Sequence, residues 1–172
     1  MFSWRHMRGH PRVPDGVYAC DVVDQHQVNW CGACYLVAAA QMVQDRAQVA
    51  LRARDPHKNA TSASQLSLQT LMDHFEDEDV IYGWNGCHGG HPLDVLQCIE
   101  TGVCPLVIER APRPLWMGFA RATQSCPKSD VCDFRVVRSR RIHPSEVASQ
   151  LWSHGPVVLE VSAQLLRSAD AK

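Results

Sequence analysis

From Cys34 the chain changes character. Tyr35-Leu36-Val37-Ala38-Ala39-Ala40 is continuously apolar, polar positions enter only at Gln41, and neither Gly nor Pro intervenes before Asp55-Pro56. This run predicts a helix from Cys34 to about Arg54, buried mostly in its first half. A second helix is predicted from near Ser67, where Leu68, Leu71, Met72 and Phe75 recur on one face at three- and four-residue spacing. The acidic run Glu76-Asp77-Glu78-Asp79 closes it. Pro92 opens a third helix through Ile99, with Gly102 as its stop. Ser145 is read as the cap of a short helix through Trp152, after which Gly155-Pro156 turns the chain into a strand at Val157–Val161. The first 30 residues read as irregular chain with short extended pieces, Lys58–Ser64 as a polar loop, and residues 103–134, rich in Cys and Pro, as irregular. Gly86-Cys87-His88-Gly89-Gly90 reads as a tight turn whose glycines permit positive φ and close backbone approach. Helices come first; strands are late and few.

Composition narrows the classes. The 172 residues fit one domain or the larger part of a two-lobed one. Hydrophobic residues at 45% and charged ones at 20% suit a packed core rather than disorder. A net charge of -1 gives no electrostatic reason to expect a nucleic acid or an anionic membrane as partner. Arg138-Ser139-Arg140-Arg141 reads as a solvated edge, and Glu76–Asp79 as a solvated turn rather than a calcium loop. No apolar run approaches the roughly 18 residues a membrane span needs, and no apolar stretch follows Met1–His6 to make a secretory signal. The informative excess is eight cysteines and nine histidines. An even cysteine count points to disulfides in an oxidising compartment, whereas the leader that would take the chain there is not visible. Two alternatives stand: an intracellular protein with reduced thiols, or a sequence that begins after a leader.

Cys31-Gly32-Ala33-Cys34, at the mouth of the long helix, is the sharpest chemical feature. A thiol at a helix N-terminus lies beside unpaired N–H groups and the positive end of the macrodipole, which favours the thiolate. Three readings compete. A thioredoxin-type redox pair fits Trp30-Cys31-Gly32-Ala33-Cys34, but the preceding Asp24–Asn29 is too polar for the buried strand that such a motif follows. A zinc site would combine Cys31 and Cys34 with Cys87 and a histidine, yet no second Cys-x-x-Cys pair stands at ribbon spacing. The third makes Cys34 a nucleophile and Cys31 a structural half-cystine.

The flanks favour the third. Gln25 followed by Cys31-Gly32-Ala33-Cys34-Tyr35 resembles the Gln…Cys-Gly-Ser-Cys-Trp block of the papain family of cysteine peptidases. Gln65–Asp73 is similar to that family's Leu-Ser-x-Gln-x-Leu-x-Asp helix, Gly86–Gly90 to its Gly-Cys-Asn-Gly-Gly turn, and His154-Gly155-Pro156-Val157 to its Gly-Pro-Val strand entry. Four blocks stand in family order over roughly residues 15–163. The resemblance implies an α+β, papain-like fold: the helical (left) lobe over about 30–135 and the start of the β-barrel-like (right) lobe over 136–172. It implies peptide hydrolysis with Cys34 as nucleophile, and an oxyanion hole formed by the Cys34 N–H and the Gln25 side chain. It pairs Cys31 with Cys87 in a disulfide, makes Gly90, with Gly89, the backbone that pairs with extended substrate, and places His91-Pro92 along a specificity pocket. No cofactor or metal is implied, and the partner is a peptide or protein. The family location is lysosomal or extracellular.

The spacing from Gln25 to Cys34, with His26 inside it, resembles the cathepsin X branch, as do Asp15–Ala19 and Asp45-Arg46. That branch implies carboxypeptidase-like trimming, with His26 holding the substrate's terminal carboxylate; a solvent-facing loop histidine is the alternative. The match has gaps. The family's general base and its orienting asparagine belong to Asn-His-x-Val and Asn-Ser-Trp-Gly blocks. Neither block occurs in these 172 residues, and none of the nine histidines stands in a matching context. His74 stands near where the family has a cysteine, which removes one family disulfide, while Ala33 and Tyr35 replace its serine and tryptophan. Pairing of Cys98, Cys104, Cys126 and Cys132 is left open. The expectation is a fragment of a peptidase with little turnover on its own. The alternatives are a non-catalytic peptide-holding module and a protein completed by a second chain that supplies the histidine and asparagine.

Overall fold

The longest element, α1, spans Cys34–Arg54, the bounds that the Gly- and Pro-free run predicts. In the computed structural model, residues 3–19, 31–57, 65–77, 89–104, 106, 108–109 and 135–161 are described. The first half of α1 is the buried half: Tyr35, Leu36, Val37, Ala39, Ala40 and Val43 all face inward. It ends where Asp55 takes extended backbone ahead of Pro56, its N–H donating back to Leu51 O at 2.9 Å. The ring of a following proline disfavours helical backbone at the residue before it, so the stop is local chemistry.

Two shorter helices pack on that buried face. α2 (Leu68–Asp77) starts at Ser67, whose Oγ accepts from the Thr70 N–H at 3.2 Å, a side-chain cap that satisfies one orphan donor. Leu68, Leu71 and Met72 are buried as their spacing predicts; the side chain of Phe75, and Glu78-Asp79, lie outside the described residues. α3 (Pro92–Thr101) has Pro92 at its first position and Gly102 at φ +80° as its left-handed cap. There the N–H of Gly102 reaches Ile99 O at 3.1 Å. It runs two residues beyond the predicted end at Ile99. Past the cap, Cys98 and Cys104 form a disulfide, settling for these two a pairing the sequence left open. Both sulfurs are buried in the core with Val95, Leu96 and Ile99.

The only ladder among the described residues is short and antiparallel: β1 (Gln65–Leu66) pairs with β2 (Ile108–Glu109), Leu66 opposite Ile108. Strands of two residues carry no readable alternation, and the sequence did not announce them. Gln44 of α1 accepts from the Leu66 N–H at 3.1 Å and ties the ladder to the helix.

The C-terminal part departs from expectation twice. A 3₁₀ turn at Pro144–Glu146 leads into α4 (Val147–His154), and the cap is His143, not Ser145. Pro144 pre-sets the first helical φ, which moves the start two residues earlier. The His143 Nδ1 then accepts from the Ser145 N–H, and Glu146 accepts from the His143 N–H at 2.9 Å, a reciprocal capping box. The helix also outlasts Trp152, ending against Gly155 at φ +101°. Val157–Val161, expected as a strand, carries no ladder. A β conformation is held by a neighbouring strand, and none lies beside it among the described residues.

The N-terminal segment is less irregular than its composition suggests. Trp4–His6 form a 3₁₀ turn, and Met7 and Gly16 exchange backbone hydrogen bonds of 2.9 and 3.0 Å. Trp4, Met7, Val13 and Tyr18 form a second small core against Val49 of α1. From there Trp4 Nε1 donates to Leu151 O at 2.8 Å, clasping the last turn of α4. Helices with one short ladder are in keeping with the α+β expectation.

Candidate active site

Cys34 is the first residue of α1. The capping position, Ala33, has no side-chain acceptor to offer, and the first turn holds no acid. The backbone donors there are therefore uncapped by any side chain, and the positive end of a 21-residue helix faces the thiol. Cys34 is exposed and free, the only such cysteine among the described residues. Cys31, three residues earlier, is fully buried and disulfide-bonded. That division of labour sets aside the redox reading, which needs Cys31 to pair reversibly with Cys34, and the zinc reading, which needs both thiolates. Cys87, the expected partner of Cys31, lies outside the described residues, as do Gln25 and His26.

Of the glycine turn, Gly89 and Gly90 are described. Gly89 has φ +106°, a backbone that favours glycine. At Gly90 the requirement is spatial: a Cβ there would stand 2.8 Å from Cε2 of the Tyr35 ring. Tyr35 itself is buried, directly after the thiol in sequence. Gly90 is thus packed against the side chain of Tyr35, in the first turn of α1 next to Cys34 in sequence.

His91 and Pro92 lead from that turn into α3. His91 has extended backbone and occupies the capping position without its side chain capping anything. The imidazole turns away instead: Nε2 is 3.2 Å from Glu160 Oε1 and 3.4 Å from Arg141 Nη2. One nitrogen cannot serve both. Protonated at Nε2 it donates to Glu160; unprotonated there it accepts from Arg141. Nδ1 is buried with no hydrogen-bond partner.

Two residues whose contacts sequence reasoning did not foresee shape this region. Arg46, on the polar side of α1, donates from Nε to Pro156 O at 2.7 Å, and burial pushes its pKa down from the ordinary guanidinium value. It also lies under Gly155, whose added Cβ would meet Arg46 Cγ at 3.3 Å. Glu160 meets His91 across a gap of 69 residues in sequence. No local pattern announces either contact, because both depend on where the chain after α4 returns to α1. Among the described residues no group of three or more His, Cys, Asp or Glu side chains is placed to hold a metal.

A model of the papain family of cysteine proteases matches residues 11–167. No curated protein matches the chain. The match runs from residue 11 through α4 and beyond, and it takes in the helix that presents a free thiol as well as Gly90, packed against the Tyr35 ring, so the chain belongs to the papain family of cysteine proteases.

Proposed function

We propose that the chain carries the nucleophilic half of a cysteine-type peptidase of the cathepsin X kind, trimming peptides from their carboxyl end. The observation that carries this reading is the exposed, free Cys34 at the mouth of α1 beside a buried, disulfide-bonded Cys31. In the proposed reaction the Cys34 thiolate adds to the scissile carbonyl, and the oxyanion is held by its own N–H and the Gln25 side chain. The C–N bond then breaks, the amine leaves with a proton from an imidazolium, and water hydrolyses the thioester. Gly89 and Gly90 offer backbone to extended substrate, His91-Pro92 border a subsite, and His26 holds the terminal carboxylate. Loss of Gln25 as a donor is expected to cost about 10²–10³ in rate.

The imidazole is the open place in this scheme. The 172 residues hold no Asn-His-x-Val or Asn-Ser-Trp-Gly block, and His91, the described histidine nearest the glycine turn in sequence, is engaged with Glu160 and Arg141. A polypeptide of these residues alone is therefore expected to turn over little substrate until a polypeptide carrying those blocks is supplied. The same observation favours one other reading, a peptide-holding module without turnover. An epoxide that alkylates activated papain-type thiols separates them. Labelling mapped to Cys34 once a polypeptide with the two blocks is added supports the peptidase; a thiol inert in both conditions supports the module. Preference for substrates with a free rather than amidated C-terminus, lost in His26→Ala, tests the carboxypeptidase assignment.

A further inference from the structure

Three asparagines stand in the chain, and only Asn59 is followed two residues on by a hydroxyl: Asn59-Ala60-Thr61, with no proline between. Asn29 and Asn85 each have a cysteine at that place. Asn-x-Ser/Thr is the acceptor pattern for N-linked glycosylation, a modification of surface chain in secreted proteins. So short a pattern recurs by chance, and accessibility and compartment decide whether it is used.

The triplet lies outside the described residues, but the chain that carries it is anchored within them. α1 runs out in exposed positions, Leu51, Ala53 and Arg54, and Pro56 and His57 beyond it are exposed as well. There the His57 N–H donates to Asp55 Oδ1 at 3.1 Å, a local turn at the helix end. Covalent geometry keeps Asn59 within about 7 Å of exposed His57. The only apolar side chains in Lys58–Ser64 are two alanines, so the segment brings almost nothing to bury. Cys34 is the first residue of α1, and a helix of that length is about 30 Å long. The triplet and the thiol therefore belong to opposite ends of the helix. The cysteines speak to the compartment. Cys98 and Cys104 are joined, and Cys31 is disulfide-bonded as well. Such bonds persist in oxidising surroundings, the secretory pathway among them, where N-linked sugars are attached.

We propose that Asn59 carries an N-linked glycan, attached in the secretory pathway at the end of α1 remote from Cys34. The donor is an oligosaccharide held on a lipid pyrophosphate. The Asn59 amide nitrogen bonds to the anomeric carbon as the bond from that carbon to the pyrophosphate oxygen breaks. The lipid pyrophosphate leaves with the bonding pair, and the amide gives up one proton. The Thr61 hydroxyl is the group that the transferase recognises beside the amide. The site uses neither Cys34 nor Gln25 and is independent of the peptidase reading.

Peptide mapping tests it. The full chain, purified from the cells that make it, is treated with peptide:N-glycosidase in heavy-oxygen water, which converts each sugar-bearing asparagine to a labelled aspartate. The expected result is label at position 59 and none at 29 or 85; an unlabelled position 59 overturns the proposal. When eukaryotic cells secrete the chain, Asn59→Gln and Thr61→Ala are expected to remove the mass of one glycan, and Thr61→Ser to keep it. A mass indifferent to the first two changes overturns the proposal as well. Sugar is transferred to the nascent chain before it folds, so a variant that fails to fold still gives an answer. Position is read separately, by alkylating Cys34 with a bulky maleimide before and after the sugar is removed. Equal rates are expected, and a faster reaction after removal would place the glycan over the thiol and overturn its assignment to the far end of α1.

Discussion

The helical core around α1 and the stretch from Arg135 to Val161 both carry apolar runs, yet one is closed and the other open. Leu36 and Leu71 are almost wholly buried, whereas Val137, Leu159 and Val161 are 77%, 60% and 53% exposed. The difference lies in where each finds its partners. A helix satisfies its backbone from within and needs only an apolar face to cover, which α2 and α3 supply to α1. A strand needs another strand for its backbone as well as a surface for its side chains. Among the described residues, 135–143 and 155–161 have the surface but not the strand, so their hydrophobic residues stay at the rim of a groove.

That contrast can be broken or sharpened by substitution, beginning with the largest effect. Leu36→Ala and Leu71→Ala are each expected to destabilise by about 2–5 kcal/mol, whereas Leu159→Ala stays within about 0.5 kcal/mol. Chemical denaturation reads both. A Leu159 effect as large as that of Leu71 would mean that the C-terminal stretch is packed as a core after all. Gly90→Ala places a methyl against the buried Tyr35 ring and is expected to cost about 1–3 kcal/mol. A Tyr35→Leu background should return part of that loss, which a purely conformational role for Gly90 would not allow. Gly102→Ala meets open space but a left-handed φ of +80°, so its cost is backbone alone, about 1–2 kcal/mol.

The smallest expected effect is a pH dependence confined to the open region. Hydrogen bonds from the Ser139 side chain and N–H hold the Glu100 carboxyl below its ordinary value, and the N–H of His143 does the same for Glu146. A folded-state pKa below the unfolded one contributes stability that is fully present above the ordinary carboxylate value, near 4.5. It is lost as pH falls through the depressed value. Both groups are solvent-exposed, so the contribution is modest. Acid titration of the double variant Glu100→Gln, Glu146→Gln should show a shallower fall below that pH than the parent chain. An identical fall would mean that these contacts do not hold the region.

The same division governs what the sequence could disclose. α1 was legible to the residue because its signals are internal: an unbroken apolar run, no glycine, and Pro56 after Asp55. α3 was legible from Pro92 and Gly102, and the place of Cys34 at the start of α1 from the apolar run that follows it. The cap of α4 was misread because Ser145 has the better capping side chain, while Pro144 decides where the helix starts. Val157–Val161 has the composition of a strand, but composition cannot supply a neighbour. The contacts of Arg46 with Pro156 and of His91 with Glu160 were out of reach for the same reason, since each joins residues dozens of positions apart.

The central claim is that Cys34 is a peptidase nucleophile whose proton acceptor is not among these 172 residues. The most direct measurement is hydrolysis of a peptide substrate by the purified chain beside its Cys34→Ala variant, each alone and with an added polypeptide carrying the Asn-His and Asn-Ser-Trp blocks. The account predicts background rates for both proteins alone, and turnover on addition only where Cys34 is present. Turnover by the chain alone that disappears in Cys34→Ala would contradict it.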